Sequence, residues 1–407
     1  MNEDLVSLNI RPGNPDFTDL PWEKHLPVWS EFSDRLEQVQ AGVSRHPVVF
    51  VNYDGELFAV KELSGGSAKH EYDMLCAVEE MRLPSVVPVG YANIADPIGQ
   101  HSALITHFLD RSLPYRLLIV RSGLQRYEQH LLDAMANLLV QLHLSGVFWG
   151  DCSLSNTLFR RDAGALQAYM VDAETVEIHP PRLAPTLRFH DLEIMEENIR
   201  GEILDLISEG QLHPGTFGGV SFRDTGRFVR QRYNSLWDEI TREQLITPGE
   251  HYRIQERIRL LNNMGYSVRQ VEILPSEKGD NLRLRVMVAD RNLHRDQLMN
   301  LTGLEVEEGQ ATKMMNEIIE LQGYFSSVNK RSMPLSAAAT YWLEQIYLPT
   351  IDALRPLIQH TRDSGELMDE TELYLQVLEH KWYLSEQANR DVGHQAAAED
   401  FLKHFDD

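Results

Sequence analysis

The chain has 407 residues, 61 acidic against 38 basic side chains and a formal charge of −23. That length suffices for two or three domains with at least one large core, and a hydrophobic fraction of 43% is ordinary for a globular protein. A nucleic-acid partner is not expected, because a phosphate-backbone binder needs a basic face; the charge reads most simply as a soluble, self-repelling surface.

In chain order, residues 1–30 are polar and proline-punctuated, carry Trp22 and Trp29, and read as an ordered arm or loop packing on the first domain; the arm extends over 1–37, and a short helix is expected within 24–40. The pattern then changes to strands. Residues 47–53 and 56–63 are two strands joined by Asp54-Gly55, a strong hairpin signal. Gly65-Gly66-Ser67 opens a helix over 68–82, which Pro84 ends. Residues 86–92 and 102–109 read as further strands. Leu131, Leu132, Met135, Leu138, Leu139 and Leu142 mark one face of a long helix over 124–145. Short strands at 157–159 and 169–171 flank a turn at Gly164. An acidic helix covers 188–210, and the glycine-rich stretch 211–226 is loop-like. Beyond it, helices are expected at 227–240 and 249–264, strands at 267–274 and 281–289, and mainly helix at 294–301, 310–326, 336–362 and 369–404. No internal repeat is visible.

The two cysteines, Cys76 and Cys152, are too few for a disulfide scaffold or a Cys-based zinc site. The start of the chain lacks the features of a signal peptide, and no apolar run is long enough to span a bilayer, so the cytoplasm is the expected compartment. The 16 histidines are scattered without a His-Glu-x-x-His pattern, which gives no support to a zinc hydrolase.

Chemistry concentrates in residues 146–172. Asp151 and Asn156 are separated by four residues, and Asp172 closes a short apolar strand 16 residues after Asn156. Phosphoryl transfer needs one carboxylate near an acceptor hydroxyl and oxygen ligands for Mg²⁺. Asp151 fits the first role; Asn156 and Asp172 fit the second. Alone, Asp-x₄-Asn is also a common turn or helix-cap pattern. Cys152 either lines the site or is a small buried filler. Lys61, in Ala59-Val60-Lys61, and Glu71 complete an ordered set with Asp151, Asn156 and Asp172.

This ordered set resembles the protein-kinase-like superfamily, and within it the bacterial branch of lipopolysaccharide (Kdo-type) kinases and aminoglycoside phosphotransferases. The resemblance covers about residues 38–205; the second half is similar to an uncharacterised bacterial family, domain of unknown function 4032. It implies an α+β, bilobal kinase-like fold: a β-rich N-lobe over 38–110, a helical C-lobe over 111–225, and a C-terminal α/β and helical extension over 226–407. It implies ATP and Mg²⁺ as cofactors. It implies that Lys61 holds the α- and β-phosphates and that Glu71 fixes Lys61. Thr106, His107 and Phe108 lie where an adenine-binding hinge would be. On this resemblance Asp151 is the expected catalytic carboxylate, and Asn156 and Asp172 the expected metal ligands.

There are departures from that pattern. No G-x-G-x-x-G occurs, and the only candidate phosphate loop, residues 40–47, offers Gly42 and Ser44. Trp149 stands two residues before Asp151, and Asp172 is followed by Ala173-Glu174 rather than Phe-Gly. Glu174 is either a further carboxylate near the metal or an ion-paired surface residue. The function expected is phosphotransfer to a hydroxyl acceptor, a small molecule or an unusual substrate. The alternatives are a pseudokinase-like nucleotide-binding regulator, or transfer of AMP at the same site. The partners expected are a nucleotide, the acceptor, and a protein partner through the C-terminal half. In that half, Trp342 and Trp382 read as core, and Arg253, Arg257 and Arg259 as a salt-bridged helix face.

Overall fold

The computed structural model describes residues 6–39, 45–96, 99–120, 128–212, 216–217, 220–242, 244–246, 268–275, 282–288, 293–363, 369–388 and 390–403. Internal contacts divide the chain into two units: Met1–Arg160 with Leu166–Glu239, and Arg161–Ala165 with Ile240–Asp407. The architecture is mixed α+β, with a sheet-rich N-terminal region and a largely helical remainder.

The first unit opens on a six-stranded antiparallel sheet. Its strands are β1 (Val6–Ile10), β2 (Leu36–Glu37), β3 (Val48–Tyr53), β4 (Glu56–Ser64), β5 (Pro88–Asp96) and β6 (Gly99–His107), in the order β1-β5-β6-β4-β3-β2. Asp54 and Gly55 join β3 to β4 with φ of 54° and 95°. A two-residue hairpin turn needs positive φ at both positions, which Asp tolerates and Gly adopts without strain. Side chains alternate along β4. Phe58 and Val60 are fully buried in a cluster with Phe17, Leu20, Trp22, Leu26 and Trp29 of the arm. Lys61 lies on the other face, where α1 (Ser67–Glu80) buries Glu71, Leu75 and Val78.

The N-terminal arm therefore differs from the sequence reading. It contributes a strand, with Val6 opposite Ile94 and Ile10 opposite Gly90. The helix expected within 24–40 is only a 3₁₀ turn at Leu26–Glu31, with proline at its start and β2 soon after it.

The rest of this unit contains β7 (Leu113–Pro114), α2 (Tyr115–Val120), α3 (Glu128–Ser145), β8 (Val147–Phe148), β9 (Thr157–Asp162), β10 (Ala165–Met170), β11 (Glu177–Ile178) and α4 (Pro185–Ser208). The short strands β12 (Thr216–Phe217) and β13 (Val220–Ser221) and helix α5 (Thr225–Thr241) follow. The six apolar positions read on the face of α3 are all buried. Helix α5 continues past the glycine-rich stretch, and its Tyr233 is fully buried beside His143 of α3, ring centroids 5.3 Å apart.

The second unit has a three-stranded antiparallel sheet of β14 (Gln244–Ile246), β15 (Val268–Pro275) and β16 (Leu282–Val288), in the order β14-β16-β15. Helices α6 (Leu293–Thr302), α7 (Glu308–Asn329), α8 (Leu335–Trp342), α9 (Leu348–Asp363), α10 (Glu370–Ala388) and α11 (His394–Lys403) follow. Asp162, in the hairpin tip that belongs to this unit, accepts the backbone N–H groups of Gly309 and Gln310 at 3.0 and 2.9 Å. A carboxylate there satisfies orphan donors at the start of α7 and complements its dipole. Glu372 accepts the N–H groups of Ala163 and Gly164 at 3.0 and 2.8 Å. Trp342 lies in the core as expected, against Tyr347 and Tyr374. Trp382 does not: its helix turns it outward, 66% exposed. Arg253, Arg257 and Arg259 lie outside the described residues.

Candidate functional site

Lys61 leaves the middle of β4 on the face that α1 covers. Its ammonium donates to Glu71 Oε1 and Oε2 at 3.0 and 3.1 Å, and to Asp172 Oδ2 at 2.8 Å. Glu71 is fully buried, whereas the Asp172 side chain is 23% exposed. Burial pushes the Glu71 carboxyl upward; Lys61 pulls it back and Asp172 pushes it up again. The Lys61 ammonium is shifted upward: burial opposes the charge, but Glu71 and Asp172 outweigh it. With Glu71 ionised, one ammonium thus serves two carboxylates and leaves a net negative charge at the partly exposed end.

The loop after β8 carries the second cluster. The Asn156 amide N–H donates to the backbone oxygen and Oδ2 of Asp151, both at 3.0 Å. The Asn198 amide donates to Asp151 Oδ1 at 3.0 Å and to the Cys152 carbonyl at 3.2 Å. Each carboxylate oxygen of Asp151 is therefore held by an amide. The backbone N–H of Val171 donates to the Asn156 carbonyl at 3.1 Å, tying the loop to the strand end that presents Asp172. Trp149 Nε1–H donates to the Asp172 carbonyl at 2.9 Å, a tie that histidine at that position would make differently.

Helix α4 supplies the scaffold beneath the loop. Asp191, fully buried, accepts the N–H groups of Trp149 and Gly150, both at 2.9 Å, and pairs with His143 Nε2 at 3.0 Å. His143 Nδ1 in turn meets the Tyr233 hydroxyl at 2.9 Å. Burial alone would raise the Asp191 carboxyl, but His143, the Cys152 thiol and the Trp149 amide hold it low. Glu202, one end of the same face, accepts the N–H groups of Leu154 and Ser155 at 2.9 and 2.7 Å. Gly150 has φ of +80°, and a Cβ there would sit 2.9 Å from the Thr175 carbonyl, so the approach to Asp151 requires glycine.

Cys152 is completely buried, and burial with Asp191 beside it pushes its thiol well up. It is a packed hydrogen-bond donor to Asp191, at 3.0 Å, rather than a nucleophile. Glu174 carries its backbone N–H to Asp172 Oδ1 at 3.1 Å, while its carboxylate lies 3.9 Å from His46.

The structure thus brings together Lys61 with Glu71 and Asp172, and Asp151 with Asn156. It separates the three hinge residues. Thr106 stands opposite Ala59 on the Lys61 face, and Phe108 packs edge-on to Phe50. His107 stands opposite Phe58, on the arm face, with its ring 4.9 Å from the Phe58 ring. Gly42 and Ser44 lie outside the described residues. Asp191, Asn198, Glu202 and His143 were not picked out from the sequence.

Residues 56–200 match the model of the Lipopolysaccharide kinase (Kdo/WaaP) family. Residues 235–405 match a domain of unknown function, DUF4032. The resemblances read from the sequence hold over those two spans. Solved structures similar to the chain include WaaP in complex with acyl carrier protein, 15% identical, covering 63% of this chain and 99% of that one, with a TM-score of 0.34. Another is an aminoglycoside-3′-phosphotransferase of type VIII, 14% identical, covering 50% of this chain and 86% of that one, also with a TM-score of 0.34. No curated protein matches. Among the described residues, no helix is long and apolar enough to cross a membrane.

Proposed function

We propose that the first unit is an ATP- and Mg²⁺-dependent phosphotransferase acting on a hydroxyl-bearing acceptor. The observation that carries this reading is the Lys61 ammonium shared between Glu71 and Asp172, beside a loop that fixes Asp151 and Asn156. The match of residues 56–200 to a kinase family supports it.

The donor set suits Mg²⁺, a hard cation that takes oxygen. Asp172 offers a carboxylate. The amide nitrogen of Asn156 is engaged by Asp151, so its amide oxygen is the atom left to face a metal. Bound with ATP, the metal would neutralise charge on the phosphates. Lys61, held by Glu71, places a compact positive charge toward phosphate oxygens. Asp151, its orientation fixed by the two asparagine amides, aligns the acceptor hydroxyl and takes its proton late in a loose transition state. Thr106 lines the nucleotide side of the sheet. In this reading the second unit recruits a protein partner, and the residues of the site do not name the acceptor.

The test is Mg²⁺-dependent ATP binding by calorimetry on the wild type and Asp172→Asn. Binding that is lost in the variant supports the reading; equal Mg²⁺-ATP affinity in both removes Asp172 from it. No binding in either leaves a pseudokinase scaffold. Product analysis then separates phosphotransfer, which releases ADP, from AMP transfer, which releases pyrophosphate.

A further inference from the structure

We propose that His25, Glu62 and His101 form a Zn²⁺ site that fastens the N-terminal arm to the sheet, on the face opposite Lys61. Lys61 and Glu62 are neighbours in β4, so their side chains leave opposite faces. Glu62 stands across from Ala103, and His101 lies two residues along β6 from Ala103, which puts Glu62 and His101 on one face. The arm brings His25 onto that face at the start of its 3₁₀ turn. One ligand atom from each of the three residues lies within 4.8 Å of the other two.

Two observations mark the cluster as more than an ion pair. His101 Nε2 is buried and has no hydrogen-bond partner, an unfavourable state unless something meets it. Moreover, the two oxygens of Glu62 are already divided. Oε2 accepts the Leu26 N–H at 2.8 Å, and Oε1 lies 2.5 Å from His25 Nδ1. The Leu26 amide thereby orients the carboxylate, as outer hydrogen bonds do for metal ligands. The imidazole rings of His25 and His101 stack with centroids 4.9 Å apart, so both rings border the same space.

Two imidazole nitrogens and one carboxylate oxygen suit Zn²⁺, with a fourth position for water. At Zn–N distances of about 2.0–2.1 Å, tetrahedral donors stand roughly 3.3 Å apart, so the ligands must draw inward. The His25 side chain, 62% exposed, can pivot to do so. The ligands lie at positions 25, 62 and 101, a spacing with no local motif, which is why a pattern search along the chain passes over them.

The experiment is calorimetric titration of the full chain with ZnCl₂, without nucleotide or Mg²⁺. The proteins are wild type, His25→Ala, His101→Asn and Asp172→Asn. The expected result is one Zn²⁺ bound by wild type and by Asp172→Asn, with affinity reduced at least about tenfold in both histidine variants. Zinc should also raise the melting temperature of wild type but not of His25→Ala. His25 is exposed, so that variant decides the matter even if His101→Asn does not fold. Absence of zinc binding, or binding that His25→Ala leaves intact, overturns the proposal. So does binding lost in Asp172→Asn, which would place the metal at the Lys61 cluster. Because Asp172→Asn is the control, failure of this site and failure of the phosphotransferase reading give different results.

Discussion

Two carboxylates, one in each unit, are held in opposite ways: Glu71 is fully buried and Glu317 half-buried. Glu317 of the second unit is met by three donors: Trp342 Nε1–H at 3.1 Å, the Tyr374 hydroxyl at 2.6 Å and His394 Nε2 at 2.9 Å. All three come from neighbouring helices of its own unit. Glu71 of the first unit shares a single ammonium with Asp172. The Glu317 arrangement is complete as structure. With Glu71 ionised, its arrangement carries surplus negative charge toward a partly exposed carboxylate, which favours a cation beside it. Packing alone explains the first; the second makes physical sense with ligands.

The sharpest way to break this contrast is to compare turnover. Asp151→Asn should lower ADP formation about 10²–10⁴-fold with nucleotide affinity retained. Glu317→Ala should leave the rate per folded molecule unchanged. An equal loss in both would erase the distinction.

Next in size is stability. Asp191→Ala removes the acceptor of two loop amides, that of Trp149 buried and that of Gly150 part-buried, and the partner of buried His143. The expected cost is about 3–5 kcal/mol in denaturant unfolding. Glu317→Ala strands the Trp342 and Tyr374 donors and should cost less, about 1–3 kcal/mol, read the same way. If Asp191→Ala proved the milder change, the loop would not depend on α4 as described.

The smallest effect concerns pH. Glu71 is pushed up to about 7, chiefly by burial, from an ordinary value of 4.5. A carboxyl raised on folding contributes stability below its unfolded value and loses it as pH rises through the folded one. Urea melts at pH 5 and pH 8 should therefore show Glu71→Gln gaining on wild type at the higher pH. A difference independent of pH would mean that Glu71 ionises as readily folded as unfolded.

Features carried by local patterns were legible in the sequence. The Asp54-Gly55 turn, the apolar face of α3 and the order Lys61, Glu71, Asp151, Asn156, Asp172 each rest on short spacings. Strand β1 was not legible, because its five residues sit in a polar arm and pair with a strand 80 to 88 positions away. The support from α4 was hidden behind its reading as an acidic helix. A signal existed: Asp191, Asn198 and Glu202 recur at intervals of seven and four, on the stripe that buries Leu192, Met195, Ile199 and Ile203. Polar residues interrupting a buried stripe imply buried partners. Trp382 misled for the opposite reason, since an aromatic residue on a helix does not announce which face is covered.

Residues Arg161–Ala165 belong to the second unit, although the strands on either side lead back to Asn156 and on to Asp172 in the first. The chain therefore passes between the units three times, at 160–161, 165–166 and 239–240. No single cut can part them. A protein ending at residue 239 would keep Asp162 but lose the amides of Gly309 and Gln310, and a piece starting at Ile240 would keep the Glu307–Gln310 capping box of α7 but lose the Asp162 carboxylate. The shortest stretch in which these groups and Glu372 keep their partners runs from Asp162 to Glu372 and cuts into both family matches, so dissecting the two units calls for point substitutions rather than truncation.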